Sequence, residues 1–467
     1  MDRKEEINLI NQVLDSFKVG HSDIRVTAGP SVALYEFYPA IGVRMSKIRN
    51  LRDEFAAVLK TGGVRVIAPI PEKGTVGIEV PNREREIVPI DEMLQSEEYL
   101  NSTMALPLAL GKTVLGDNFI ADLADMPHLL IAGATGQGKS VGLNVILASL
   151  LRKRTPDELK LVLVAPKQVE LTPYEDIAKP YLLHIDGFAP ICTAPESAQQ
   201  TLNGIIDIME ERYTMLKTKG VRNIAEYNKV SSDKMQYIVV VVDEYGDLVM
   251  TADSEMERSI CRLAQKARAV GIHLIISTQR PDVSIVTGNI KANFPTRIAF
   301  RTTTGTDSRV ILDRIGAERL TGKGDMLFFS GADTERVQCA YISTDEVVTM
   351  CREIKAKYDN CAEMMMPDKV KIAQELALQR EMEDRERRRK EIMRPCYDTL
   401  DLALLVADYH YISLDVHKEI ERRLGHKPNG ISWIRLHDYG IIDCITRPTV
   451  LIRDKDKIRE IIDYYSS

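Results

Sequence analysis

The chain has 467 residues, 62 basic and 68 acidic side chains, a formal net charge of −6, and is 44% hydrophobic and 28% charged. That length exceeds one core and predicts two to four domains at roughly 150 residues each, and the composition excludes a disordered, collagenous or disulfide-stapled chain. No run of about 18 apolar residues and no basic-then-apolar start occur, so no membrane segment and no signal peptide are read, and the expected location is the cytoplasm.

The seven cysteines form no C-x-x-C pair and read as buried, reduced thiols. Residues 1–110 predict a small α+β accessory domain: an amphipathic helix (Ile7, Ile10, Val13, Leu14, Phe17), then turn-punctuated strands in IRVTAG, SVALYEFY and VRVIAPIP. From 111 to 360 apolar strand runs alternate with helical stretches: HLLIAGA, VGLNVILASLLRK, LKLVLVAP, QYIVVVVDE, GIHLIISTQ, TRIAFRTT and GDMLFFS. This alternation predicts an α/β class with a parallel-rich sheet covered on both faces. Residues 361–394 are highly charged and predict a solvated helical linker, and 395–467 a small, mostly helical domain.

The sharpest chemical signal is Gly133-Ala134-Thr135-Gly136-Gln137-Gly138-Lys139-Ser140, a complete G-x-x-x-x-G-K-S that follows an apolar strand and opens a helix. Its backbone N–H groups suit the phosphates of ATP, Lys139 the outer phosphates and Ser140 a Mg²⁺ ion. About a hundred residues on, a hydrophobic strand ends in Asp243-Glu244. Beside a phosphate loop, Asp243 reads as the carboxylate of the Mg²⁺ shell and Glu244 as the one that polarises an attacking water; alone, the pair would only open a loop. Gln279 closes the next strand, as a sensor of the terminal phosphate or as a strand-end cap. Hydrolysis also needs a cation on the charge that develops in the transition state. Arg268 is the first candidate, with Arg297 and Arg301 as alternatives, although a single surface arginine is commonly just solvated.

These segments together resemble the motor portion of the FtsK/SpoIIIE DNA translocases. The likeness runs in order through PHLLIAGATGQGKSVGLNVIL, VVVDEYGDLVM, LAQKARAVGIHLIISTQRPDVSIVTGNIKANFPTRIAF, DSRVILD and GKGDML. It reaches back through GPSVALYEFYPAIGVRMSKIRNL, IAPIPEKGTVGIEVPN and LPLALGKTV, covering about residues 5–345. The resemblance implies a RecA-like P-loop ATPase behind an accessory domain, a ring hexamer threading double-stranded DNA in chromosome segregation and cell division. It also implies a trans-acting Arg268 and DNA contacts at Arg280 and Lys291. The tail is a looser match to the family's winged-helix domain, with Trp433, Arg435 and His437 on its second helix.

Three departures stand out. Ala165 occupies the position before Pro-Lys where the family typically has Asp, and Gly305 a position where lysine is usual. The membrane-spanning amino-terminal region common in the family has no counterpart in this sequence, which fits a soluble relative, a separately encoded motor or a shortened chain. Two other readings stay open: an FtsK-like ATPase that moves protein in a secretion machine, and an ATP-dependent DNA-binding scaffold with impaired hydrolysis.

Overall fold

The structure is a computed structural model that describes residues 2–70, 73–167, 170–251, 255–331, 333–393, 397–428, 430–445 and 448–466. The chain divides into two compact units, 1–367 and 368–467.

The first unit opens with the helix Arg3–Ser16, which buries Ile10, Val13 and Leu14 at helical spacing. It packs with a four-stranded antiparallel sheet made of β1 (Arg25–Ala28), β2 (Val32–Phe37), β3 (Arg65–Ile67) and β4 (Val76–Pro81), in the order β1-β2-β4-β3. Tyr35, Phe37, Ile48, Phe55, Val76 and Ile78 form its core.

Ten of the described strands join a second sheet. They are β5 (Pro107–Thr113), β6 (Asn118–Asp122), β7 (His128–Ala132), β8 (Leu159–Val164), β10 (Ile191–Cys192), β11 (Tyr237–Val242), β12 (Ile272–Thr278), β13 (Thr296–Phe300), β14 (Asp325–Ser330) and β15 (Asp333–Cys339). β9 (Leu183–Ile185) pairs instead with β16 (Met364–Met366). The sheet order is β10-β8-β11-β12-β7-β13-β14-β15-β5-β6.

From β10 to β13 neighbouring strands are parallel, as the alternation of strand and helix predicts. Side chains explain the continuous apolar runs: Val239 and Val241 enter one core with Leu161 and Leu163, while Ile238, Val240 and Val242 enter the opposite core with Val162 and Val164. Helix Lys139–Lys153 covers the first face, and helix Pro195–Lys219 the second through Leu202, Ile205 and Met209. Beyond β13 the sheet turns antiparallel, so it is parallel-rich, as expected, rather than wholly parallel. β14 ends at Ser330 and β15 begins at Asp333, too short a connection for the crossover a parallel pair requires. β5 begins at Pro107 and belongs to this sheet, although sequence alone assigns everything up to 110 to the accessory domain.

A buried ion network ties the small sheet to the large one. Arg336 on β15 donates through Nη1 to Glu79 on β4 at 2.7 Å, and through Nη2 and Nε to Asp325 at 2.7 and 3.0 Å. Burial alone would lower the Arg336 guanidinium, but Asp325 and Glu79 more than offset it and hold it above its ordinary value.

At the amino-terminal edge of the parallel strands lie two buried histidines. His128 Nδ1 accepts the Leu274 N–H at 3.0 Å, so a second proton there would face an existing donor. His273 Nδ1 lies 2.9 Å from the Pro127 carbonyl and donates to it. Burial, joined at His128 by the His273 charge, holds their pKa values down to about 3 and about 4.

The second unit holds helices Lys369–Met393, Tyr397–Val406, Leu414–Leu424, Gly430–Asp438 and Lys455–Ser466. Antiparallel bridges join Tyr411 to Thr449 and Ile442 to Val450. Trp433, on helix Gly430–Asp438, belongs to the core with Leu402, Val406, Ile420 and Leu436 and stacks on His417 at 4.5 Å. Burying the largest apolar side chain outweighs presenting it.

Both sets of buried groups carry measurable weight. Glu79→Ala leaves Arg336 paired on one side only, and calorimetry should show a lower unfolding midpoint, corresponding to about 3–5 kcal/mol; an unchanged midpoint would mean that the network does not anchor the small sheet. Each histidine takes up a proton more readily unfolded than folded, so its neutral burial contributes stability above about pH 6.5 that is lost as pH falls toward about 4. The loss should be roughly 1.4 kcal/mol per pH unit for each ring. Replacing both with glutamine should flatten the decline in unfolding midpoint between about pH 6.5 and 4.5.

Candidate functional site: a phosphate loop on a composite cavity

The carboxyl ends of β7, β11 and β12 meet along one edge of the large sheet, beside the point where the order reverses around β7. The loop 133–138 leaves β7 and enters helix Lys139–Lys153 through Gly138 at φ +118°, a conformation that L side chains rarely adopt. At Gly133 an added Cβ would sit 2.6 Å from the Phe300 Cβ, so the loop can lie this close to β13 only without a side chain. Two backbone bonds brace the loop: Ala134 N–H to the Arg301 carbonyl at 2.9 Å, and Gly324 N–H to the Gln137 carbonyl at 3.0 Å.

Lys139 is 3% exposed, and its ammonium is shared: Asp243 Oδ1 at 2.6 Å, Glu244 Oε1 at 2.8 Å and Ser277 Oγ at 3.2 Å. The Ser277 hydroxyl in turn donates to Asp243. Burial alone would depress the Lys139 ammonium, but the Asp243 charge, then Glu244, hold it above its ordinary value. Glu244 sits at φ +50°, a strained backbone for a side-chain-bearing residue, and its Oε2 accepts the Gln279 N–H at 3.3 Å. Gln279 Oε1 accepts the Thr135 hydroxyl at 2.8 Å. Six of the residues read from sequence, Thr135, Lys139, Ser140, Asp243, Glu244 and Gln279, therefore lie along one edge of the sheet.

Beside this edge opens a cavity of about 740 Å³. The phosphate loop, Ser140 and Gln279 line one side. Much of the rest comes from residues that the sequence did not point out: Arg83 and Arg85 to Val88 from the segment after β4, Thr321, Lys323 and Gly324, and Gln338 to Tyr341 at and just beyond the end of β15. Gln338 Nε2 donates to the Lys323 and Cys339 carbonyls at 3.1 and 3.3 Å. Burial pushes the Cys339 thiol up to about 12, which makes it inert. The signal in the sequence was the alternating REREI stretch and the glycines flanking Lys323, neither of which marks a ligand on its own.

For Mg²⁺ the donors are of the right kind: the Ser140 hydroxyl on the cavity wall and the oxygen-only Asp243 carboxylate. Ala165 follows β8 as a fully buried residue whose N–H bonds the Cys192 carbonyl at 2.8 Å, and the Asp243 N–H bonds Val164 next to it. The missing carboxylate therefore concerns a site adjacent to Asp243.

The arginine candidates separate. Arg268 is exposed on the turn Ala267–Val270, which precedes β12, so it lies at the sheet edge opposite the phosphate loop, near His128 and His273. Arg297 is corrected as a candidate cation: it is buried and donates to the Phe294, Ile311 and Lys291 carbonyls and to Asp313. Arg301 is exposed and does not line the cavity. Arg280 is exposed past the end of β12, with Nη1 3.5 Å from the Met250 sulfur. Lys291, on helix Gly288–Asn293, is ion-paired to Asp313 at 2.6 Å. Gly305 begins helix Gly305–Leu312.

A model of the FtsK/SpoIIIE family matches residues 89–283, and one of the FtsK alpha domain matches residues 1–82. The chain is 48% identical over 359 residues to DNA translocase FtsK of Chlorobaculum tepidum, covering 75% of this chain and 45% of that protein. It is 44% identical over 380 residues to DNA translocase SpoIIIE of Bacillus subtilis, covering 78% and 47%. With B. subtilis DNA translocase SftA it shares 43% over 361 residues, covering 76% and 37%. The chain thus spans half or less of the length of these relatives. Among solved structures, the monomer form of the pCW3 conjugation coupling protein TcpA superposes with a TM-score of 0.53 at 24% identity, covering 76% of this chain and 99% of that one. That likeness supports the P-loop ATPase fold.

Lys139→Ala leaves Asp243 and Glu244 buried side by side without their cation. Unfolding followed by circular dichroism should show a loss of about 3–5 kcal/mol, in addition to lost nucleotide binding; wild-type stability would mean that the ion triad carries no structural weight.

Proposed function

The chain belongs to the FtsK/SpoIIIE family, and on that premise we propose that it is the ATP-hydrolysing motor of a double-stranded DNA translocase. In this reading it acts as a ring hexamer in the cytoplasm during chromosome segregation and cell division. The observation that carries the reading is the Lys139–Asp243–Glu244 triad behind a braced phosphate loop, on a cavity large enough for a nucleotide.

In this proposal the N–H groups of residues 133–140 and the amino-terminal end of helix Lys139–Lys153 hold the ATP phosphates. Lys139 exchanges part of its carboxylate contact for the outer phosphates. Ser140 and Asp243 hold Mg²⁺, which when bound neutralises charge on the phosphate oxygens. Glu244, freed from Lys139, accepts the proton of the attacking water, and Gln279, tied to both Thr135 and Glu244, senses the terminal phosphate. Arg268 lies on the edge away from its own phosphate loop, so it can stabilise the transition state only in a neighbouring subunit. This favours an oligomer.

Arg280 and Lys291 are the proposed phosphate-backbone contacts of the duplex, with Lys291 exchanging Asp313 for DNA. Sequence-independent contacts of this kind are strongly salt-dependent. The tail from 395 to 467 is proposed as a winged-helix-like domain that reads DNA, with Arg435 and His437 on helix Gly430–Asp438 and with Trp433 as core. No helix among the described residues is long and apolar enough to cross a membrane. Ala165 favours the scaffold as second reading, because a carboxylate beside Asp243 is missing.

Steady-state ATP hydrolysis tests this. Long linear duplex should raise the rate at least several-fold at low salt and less at physiological salt, and Lys139→Ala and Glu244→Gln should reduce it by at least about a hundredfold. Arg268→Ala should be as inactive, yet mixing it with Lys139→Ala subunits should restore activity, since each supplies what the other lacks. A rate indifferent to duplex, with ATP still bound, would leave the scaffold; stimulation by a peptide substrate alone would leave the secretion motor.

A further inference from the structure

Building on the nucleotide reading above, we infer that Ile87 and Tyr341 form the base-binding end of the site, where the planar ring of a nucleoside triphosphate lies while the loop 133–140 holds its phosphates. The connecting segment 83–88 lies between the two family matches, which end at 82 and resume at 89.

The backbone sets the arrangement. Tyr341 N–H bonds the Val88 carbonyl at 2.8 Å and Ile90 N–H bonds the Tyr341 carbonyl at 3.0 Å, so residues 88–90 run alongside Tyr341 as in a parallel ladder. Alternation then turns Val88, Ile90, Ala340 and Ile342 into the core and leaves Ile87 and Tyr341 outward, 71% and 47% exposed. Both line the same cavity as Gly136, Gly138, Lys139 and Ser140. Large apolar side chains at the mouth of a phosphate site are covered at little desolvation cost by a flat aromatic ring, and base stacking on an aromatic side chain such as Tyr341 is worth about 1–3 kcal/mol per base.

Gly324 bonds Gln137 in the phosphate loop, and Cys339 N–H bonds the Gly324 carbonyl at 2.8 Å. Tyr341 lies two residues beyond Cys339 and lines the same cavity as the loop. Arg83, Arg85 and Lys323 line the same cavity, with Glu86 as the acidic residue among them, and Arg85 Nη1 is held to the Gly322 carbonyl at 3.2 Å.

Calorimetric titration of the full chain with a non-hydrolysable ATP analogue and, separately, with inorganic tripolyphosphate tests the inference. Ile87→Ala and Tyr341→Ala should each weaken the analogue about tenfold and leave tripolyphosphate unchanged, while Tyr341→Phe, which keeps the ring, should bind like wild type. Equal losses for both ligands, or wild-type affinity for the analogue in Ile87→Ala and Tyr341→Ala, would overturn it. Should Tyr341→Ala not fold, the exposed Ile87 decides the matter alone. Failure of the nucleotide reading itself is seen differently: wild type binds neither ligand, or Lys139→Ala binds both undiminished.

Discussion

One guanidinium organises the first unit. Arg336 is sealed between Glu79 of the small sheet and Asp325 of the large one, and a buried charge of this kind is tolerable only while both partners stay in place. Asp325 also accepts the N–H and hydroxyl of Thr321, each at 2.7 Å, and so shapes the turn that carries Lys323 and Gly324. That turn bonds Gln137 of the phosphate loop. A strand of the accessory sheet, a strand of the motor sheet and the phosphate loop are thus linked through a short series of bonds. A shift in any one is felt by the others, because Arg336, Asp325 and Glu79 are buried and have no water to turn to as an alternative partner.

The large sheet separates two kinds of chemistry along its strands. At the carboxyl ends, Asp243, Glu244 and the Ser277 hydroxyl share the Lys139 ammonium, an arrangement that can rearrange when another anion enters. At the amino ends, two neutral histidines sit in apolar packing under exposed Arg268, and nothing there exchanges partners easily. Rigid burial at one end and an exchangeable ion triad at the other is what a site that binds and releases its ligand repeatedly requires.

Much of this was legible in the sequence where local pattern and local chemistry coincide. The run from Ile238 to Val242 is apolar at every step because both faces of β11 are covered, and the apolar stretches of β7, β8 and β12 could be read likewise. The phosphate loop, Asp243 and Glu244 were readable because strand ends place them. β6 was not, since its five residues are all half-buried and its position depends on pairing with β5. Nor was the fate of a cation: Arg297 and Lys291 look alike as charges, and only the fold reveals that Asp313 is shared by both. The burial of Trp433 was not legible either, because a helix of nine residues has two faces, and which is inward depends on Val406 and Ile420 arriving from other helices. The wall from Arg83 to Val88 escaped because its role comes from lying next to Tyr341, which is far away in the chain.

The opposed positions of Arg268 and the cavity restrict how copies of this chain could join. An interface that brings one copy's arginine to the next copy's phosphate loop either repeats head to tail or, where a two-fold axis relates the pair, makes the same contact twice. Any open stack would leave one cavity without an arginine and one arginine without a cavity. Closed symmetry leaves no copy unmatched, and among closed arrangements a head-to-tail ring of three or more copies differs from a two-fold pair in having two unlike faces.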